Sequence, residues 1–287
     1  MPPTKHQLAL QAVERAIDEF KATAAEDQTP GGIKRIRKEF EEIANSIDSA
    51  RAAHDPIRLP RDTFDPADPK VVGRIVSLAL LAQPRLPLAE VTEAYGSGVY
   101  AIYYEGPHPF YAAISGTETP IYVGKADPAV YDASTSREQG PKLTGRLIEH
   151  AGTIATAERY AADPSRGILP ICLADFRYRA LVCTTNAQLV AEQHLIRTFL
   201  PIWNSQTKAC WGMSKHGDAA TTRANKRSPW DVVHPGRAWA LDSRLVDSLS
   251  LDEIRARIDQ TLARVPPWRD KQKLIDEFLA GFQQSHA

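Results

Sequence analysis

The chain opens on helical periodicity. Thr4 is placed to cap a first helix, and Leu10, Val13, Ile17 and Phe20 follow at helical spacing as one apolar stripe. Pro30-Gly31-Gly32 is expected to break the chain, after which Ile36, Phe40, Ile43 and Ile47 make a second stripe. A third helix is expected from Val71 to Leu81, beyond a Pro- and Asp-rich connector from Arg58 to Pro69. Amphipathic helices in isolation bury little, so these three need a partner surface, either the rest of the chain or a second copy of it.

At Gly98 the pattern changes. Val99 to Tyr104 is β-branched and aromatic, which predicts a strand. A polar turn from Gly116 to Pro120 leads to a second short strand, Ile121 to Val123. Ala126 to Pro141 is polar and aperiodic, which predicts a mobile surface loop. Leu143 to Tyr160 reads as a helix, and Phe176 to Val182 as a strand with Arg177 and Arg179 on the face opposite Phe176 and Tyr178. Asn186 is placed to cap a helix that runs to Phe199 and ends at Pro201. Ser205 to Gly236 is polar and basic with little periodicity, and two helices, around Leu251 to Arg264 and Trp268 to Phe282, close the chain.

Composition narrows the class. A hydrophobic fraction of 43% and a charged fraction of 24% fit a soluble globular protein. No apolar run approaches the roughly 18 residues of a membrane span, and Met1 to Glu14 lacks the apolar core of a signal peptide, so no membrane partner and a cytoplasmic location are expected. Cys172, Cys183 and Cys210 are too few and too scattered for a zinc site. With 35 basic and 35 acidic residues the net charge is zero, which argues against a generic basic coat but leaves room for a local basic groove.

Candidate chemistry lies in a few charged and aromatic positions. Glu192 falls with Leu189, Ile196 and Phe199 on one helix face, so its carboxylate needs a cation, a donor or a metal; on that feature alone a salt bridge at the core edge is the plainer reading. Arg146 and His150 are four apart on one helix face, a pairing suited to phosphate, although an exposed polar face explains it as simply. Tyr100 and Tyr122 sit on strands, where tyrosine is usually structural. Lys125 adds an ammonium that favours a phenolate, which lets a tyrosine accept a proton from water.

Taken in order, Gly98-Val99-Tyr100, Tyr122-Val123-Gly124-Lys125, Arg146-x3-His150, Glu192 and Asn204 resemble the GIY-YIG nuclease superfamily over about Ser97 to Ser205. Both motifs carry Val where the superfamily name has Ile. Arg146-Leu147-Ile148-Glu149-His150 and the tail Trp230-Asp231-Val232-Val233-His234-Pro235-Gly236-Arg237 look most like the type II restriction endonucleases that cut a GC-rich palindrome of the CCGCGG type. The resemblance implies an α+β fold, a small mixed or antiparallel sheet flanked by helices. Around the catalytic core (97–205), the residue pattern leaves an N-terminal helical region (1–96), which could serve dimerisation or DNA contacts or pack within the monomer, and a basic loop with C-terminal helices (206–287). Carried over residue by residue, the resemblance makes Tyr100 the general base aided by Lys125, with Tyr122 in the same network. Arg146 stabilises the scissile phosphate, His150 contacts phosphate or nucleophile, Glu192 holds one Mg2+ or a similar cation such as Mn2+, and Asn204 anchors the site or contacts phosphate.

Lys208, Lys215, Arg223, Lys226, Arg227 and Arg237 make the stretch after Asn204 basic, opposed only by Asp218 and Asp231, and are expected to touch double-stranded DNA. Arg177, Arg179 and Arg137 are secondary candidates. A palindrome calls for two sites, hence a homodimer. A prokaryotic source and a cognate methyltransferase are implied by the resemblance alone. The alternatives are a repair or homing-type nicking enzyme of the same superfamily, and a DNA-binding protein with an inactive nuclease fold.

Overall fold

The computed structural model describes residues 2–23, 29–54, 57, 63–184, 186–213 and 226–283. It divides into two units, Met1–Asp62 with Ser285–Ala287, and Thr63–Gln284. The boundary falls inside the region 1–96 expected as one helical piece.

The first unit holds α1 (Lys5–Thr23) and α2 (Pro30–His54). They run antiparallel, with the Phe20 and Phe40 rings edge-to-face at 4.6 Å and His6 beside His54. Pro30-Gly31-Gly32 does not interrupt the helix as expected. Proline suits a first helical position because its missing N–H would be unpaired there anyway, and Thr29 Oγ1 accepts from Gly32 N at 3.1 Å, so the break falls before Pro30. Val13, Phe40, Ile43 and Ile47 stay exposed along the shared groove.

The second unit is a four-stranded antiparallel sheet between two layers of helices. Its order is β1 (Leu86–Pro87), β4 (Phe176–Val182), β2 (Gly98–Tyr104), β3 (Tyr122–Ala126). Strand β2 is central and buried on both faces, which is why it reads as a nearly unbroken apolar run. Val99, Ala101 and Tyr103 pack with Leu80 and Leu81 of α3 (Pro69–Ala82), Leu195 and Phe199 of α6 (Ala187–Phe199), and Leu274 and Phe278 of α9 (Lys271–Ala280). On the other face Tyr100, Ile102 and Tyr104 pack with Leu143, Leu147 and Ile154 of α5 (Lys142–Ala161), together with Trp203 and Trp230. Helix α3 is capped by Asp68, which accepts from Lys70 N at 2.7 Å, and Gly73 lets it approach α6: a Cβ there would lie 3.0 Å from Val190 O.

Several expectations are corrected. The second motif strand runs to Ala126, paired along β2 from Gly98↔Ala126 to Ile102↔Tyr122. The segment 126–141 is not a featureless loop: it holds α4 (Ser136–Gln139), capped reciprocally by Thr135 and Glu138, and Gln139 is buried. Asn186 sits at the start of α6 but makes no side-chain cap. The final helix begins at Lys271, capped by Asp270. Within 205–236, the short helix α7 (Pro229–Val233) is core, with Trp230 fully buried; residues 214–225 lie outside the described residues. Helix α8 (Leu251–Arg264) packs on α7, and a two-residue parallel pair joins β5 (Lys226–Arg227) to β6 (Val246–Asp247).

Candidate active site

The two motif glycines have separate reasons. A Cβ on Gly98 would collide with the Leu181 carbonyl of the neighbouring strand. Gly124 faces Tyr100 across the β2–β3 ladder, and a Cβ there would stand 2.5 Å from the Tyr100 hydroxyl. Glycine at 124 therefore lets the phenol lie flat over β3 and reach α5.

There Tyr100 Oη lies 2.7 Å from His150 Nε2, with both residues buried. Burial pushes the phenol well above its ordinary pKa, reinforced by the neighbouring Tyr122 and opposed by Arg146. Burial also depresses the imidazole, to about 3, and Arg146 adds to this. At neutral pH the hydroxyl is therefore protonated and the imidazole neutral, and with the imidazole proton on Nδ1 the hydroxyl donates to Nε2. Tyr122 packs edge-on to His150, centroids 5.0 Å apart, and 6.2 Å from the Tyr100 ring. Unlike Tyr100, it is only half-buried and lines the open space in front of the site. Burial works against the Arg146 charge, but Tyr100, Glu149 and Tyr122 outweigh it; Nη1 bonds Glu149 Oε2 at 2.6 Å. The cation expected beside Tyr100 was Lys125. Its ammonium instead meets Asp127, and Arg146 is the guanidinium that interacts with Tyr100.

Tyr122, Lys125, Lys142, Arg146 and Glu192 line a cleft of about 720 Å³, continued past Glu192 and Tyr122 by a smaller cavity of about 170 Å³ that Asn204 borders. Burial raises the Glu192 carboxyl, opposed by Lys125, whose ammonium lies nearby and whose backbone N–H bonds it, while Asp127 raises it further. The core face of α6 is Gln188, Ala191, Leu195, Ile196 and Phe199; Leu189 is 44% exposed, so Glu192 stands at the edge of the apolar stripe rather than within it. One half-buried carboxylate at an open cleft fits a cation that takes its remaining ligands from water and phosphate. Among the described residues no group of three His, Cys, Asp or Glu side chains forms an all-protein cage. Asn204 is buried, and both its polar atoms are engaged: Oδ1 accepts from Val123 N at 2.9 Å and Nδ2 donates to Val123 O at 2.8 Å, which fixes β3 at the second motif.

The basic candidates scatter. Lys208 and Lys226 are exposed, and Arg227 pairs with Asp247 at 2.5 Å. Arg177 pairs with Glu105 at 3.3 Å. Arg179 is 3% exposed on Glu118, so it braces the sheet and has no surface to offer a ligand. Arg237 chelates buried Asp231 and donates to the carbonyls of Gly212 and Met213. Arg137 lies over the Tyr95 ring. Lys215 and Arg223 lie outside the described residues.

Three contributors escaped the sequence reading. Gln139 receives Ser97 N at 2.9 Å and donates to Cys183 O at 2.7 Å, tying the start of β2 to the end of β4. Glu149 orients Arg146, a pairing legible in the i,i+3 spacing. The third is the buried lock between Tyr111 Oη and His234 Nε2, 2.6 Å apart, beside Trp203 and Trp230, which seats α7 on the core; nothing local in the sequence announces it.

No helix among the described residues is long and apolar enough to cross a membrane. No curated protein matches the chain. The family model described as Eco29kI GIY-YIG domain matches residues 92–262, more than half of the chain. That span takes in both motif strands, α5, α6 and the docked α7, so the chain belongs to the Eco29kI GIY-YIG domain family and is a nuclease of the restriction type.

Proposed function

We propose that this protein is a type II site-specific deoxyribonuclease that hydrolyses phosphodiester bonds in a palindromic duplex, using one divalent cation, Mg2+ or a relative such as Mn2+, and working as a homodimer. The supporting observation is the convergence of Tyr100, His150, Tyr122 and Arg146 beside the cleft that Glu192 also lines.

The phenol of Tyr100 is too buried to rest as phenolate, so its role is to pass a proton on. It takes one from the attacking water while giving its own to Nε2 of neutral His150. Tyr122, open to the cleft, orients that water. Arg146, held by Glu149, stabilises charge on the phosphate. Glu192 and Asn204 border the space where a cation would sit, Glu192 as its ligand and Asn204 as the anchor of the strand beside it. Bound there, the cation supplies Lewis-acid polarisation of the phosphate and stabilises the leaving oxygen.

Target recognition falls to residues outside the tyrosine strands, with Lys208 and Lys226 the exposed cations among the described candidates. The uncovered apolar face of α1 and α2 supports the dimer, and a companion methyltransferase follows from a restriction role. Incubation of plasmid with protein and Mg2+ tests the reading. Discrete fragments are expected, lost on chelation and in Glu192→Ala. Intact plasmid, or equal cutting by Glu192→Ala, contradicts it. Gel filtration that yields a monomer both free and on DNA contradicts the dimer.

A further inference from the structure

Helix α5 contains two interior glycines, Gly145 and Gly152, at positions where glycine weakens a helix. Packing does not explain them. At Gly73 of α3 a Cβ would press on α6, but a Cβ at Gly145 or Gly152 would meet nothing within 4 Å. The two are seven residues apart, two turns, so they share one face of α5. That face is concave on both sides of Glu149. Gly145 lines the catalytic cleft with Lys142 and Arg146, and Gly152 lines a second cavity of about 240 Å³ with Thr153, Met213 and Arg237. Glu149 borders both spaces, and His150 of the active site also borders the second.

A bare helix backbone at the wall of an open cavity serves a ligand that must come closer than a side chain would allow. We propose that this face of α5 is the bed of the sugar–phosphate backbone of the cleaved strand, with Gly145 and Gly152 as its two points of close approach. The inference rests on the nuclease reading above. Seven residues of helix span about 10 Å, longer than the 3.4 Å rise per nucleotide of one DNA strand, so the second cavity receives backbone beyond the scissile phosphate. At the cleft end Lys142 and Arg146 supply positive charge from α5 itself, and Glu93, Asp127 and Glu192 line the cleft from other elements. The one anionic group on the face, Glu149, is held by Arg146 at 2.6 Å and so does not stand as a free negative charge against the phosphates.

The test separates this role from a structural one because the two effects have opposite signs. Gly145→Ala and Gly152→Ala are each expected to raise Tm by about 2 °C, since alanine favours the helix. Each is also expected to weaken binding of a mixed-sequence duplex roughly tenfold, read by fluorescence anisotropy in Ca2+ with the full chain. Gly152→Glu, which places a charge against the strand, is expected to weaken binding further. Lys142→Ala should lower the slope of log affinity against log salt by about one. Alanine variants that are stabilised yet bind the duplex as wild type does overturn the proposal, and so does a wild-type protein that fails to bind it. Wild type that binds the duplex but leaves long genomic DNA, which offers every short palindrome, uncut with Mg2+ overturns the nuclease reading instead and leaves the glycine comparison standing as evidence for the bed.

Discussion

The Tyr100 hydroxyl and His150 Nε2 are 2.7 Å apart, both side chains are buried, and the imidazole is neutral. A buried acid and a buried base thus face each other directly, so the tyrosine can exchange one proton for another without ever carrying a full negative charge. His150→Gln keeps an acceptor for the hydroxyl but cannot take up a proton. Turnover should fall by about 10²–10⁴-fold while duplex binding in Ca2+ is unchanged. Single-turnover cleavage measures this, and a wild-type rate would exclude the relay.

The motif glycines should fail in different ways. Gly98→Ala drives a methyl into the Leu181 carbonyl and should destabilise the fold, by about 1–3 kcal/mol in urea unfolding. Gly124→Ala meets the end of the Tyr100 ring, which can tilt, so stability should fall less and activity more. Equal stability losses with equal residual activity would contradict the division.

Asn204→Ala leaves both the N–H and the C=O of buried Val123 without their partners. A loss of roughly 2–4 kcal/mol is expected from two unsatisfied groups. Asn204→Asp should recover part of it below about pH 4, where a protonated carboxyl can still donate to the carbonyl, and none of that part at neutral pH. Denaturation at the two pH values decides.

Glu118 sits between Arg85 and Arg179, at 2.9 and 2.8 Å, and the two guanidinium groups flank the Tyr103 ring at 4.2 and 4.9 Å. Burial alone would raise its carboxyl, but the two arginines hold it below the usual value. A depressed folded pKa gives stability that is present above the unfolded value near 4.3 and is lost as pH falls through the folded one. Glu118→Gln should remove roughly 2–4 kcal/mol at neutral pH, less than a fully buried pair would because some solvent reaches Glu118, and should flatten the acid limb below about pH 4.

His150 and His234 extend the acid sensitivity upward. Burial depresses both, His150 to about 3 and His234 well below its ordinary value. The unfolded chain binds these protons near pH 6.5 and the folded chain does not, so stability declines from about pH 6.5 downward, by up to about 1.4 kcal/mol per pH unit for each histidine. Chemical denaturation at about pH 7 and about pH 5 should show it, with a shallower slope in His234→Leu. A flat profile would contradict neutral burial.

Much of this architecture is legible in the residue pattern. Strand β2, helices α3, α5 and α8, and strand β4 carry strong periodicity or long β-branched runs, and the order of the site residues marks the family. The rest depends on contacts between distant segments. Gln139 lies in a polar stretch that looks like a surface loop, and it is buried only because Ser97 and Cys183 meet beside it. Helix α7 has five residues, too few for a period, and is core through Trp230. The stripe of α6 misleads because polar Gln188 faces inward and apolar Leu189 outward. Arg179 alternates correctly away from Phe176, but only the fold shows that its face is covered by Glu118 and Tyr103.

Strand β3 is outermost on its side of the sheet. An outermost strand normally presents a row of unmatched amides and carbonyls to any other extended chain. At Val123 both groups are taken up by the Asn204 side chain, and at Ile121 the carbonyl receives Trp203 N–H at 3.0 Å. The Asn204 amide acts as a detached peptide unit, a one-residue substitute for a fifth strand. Recruitment of a foreign strand, the step by which open sheets seed aggregates, is thereby blocked at the residue that holds the second tyrosine motif in place.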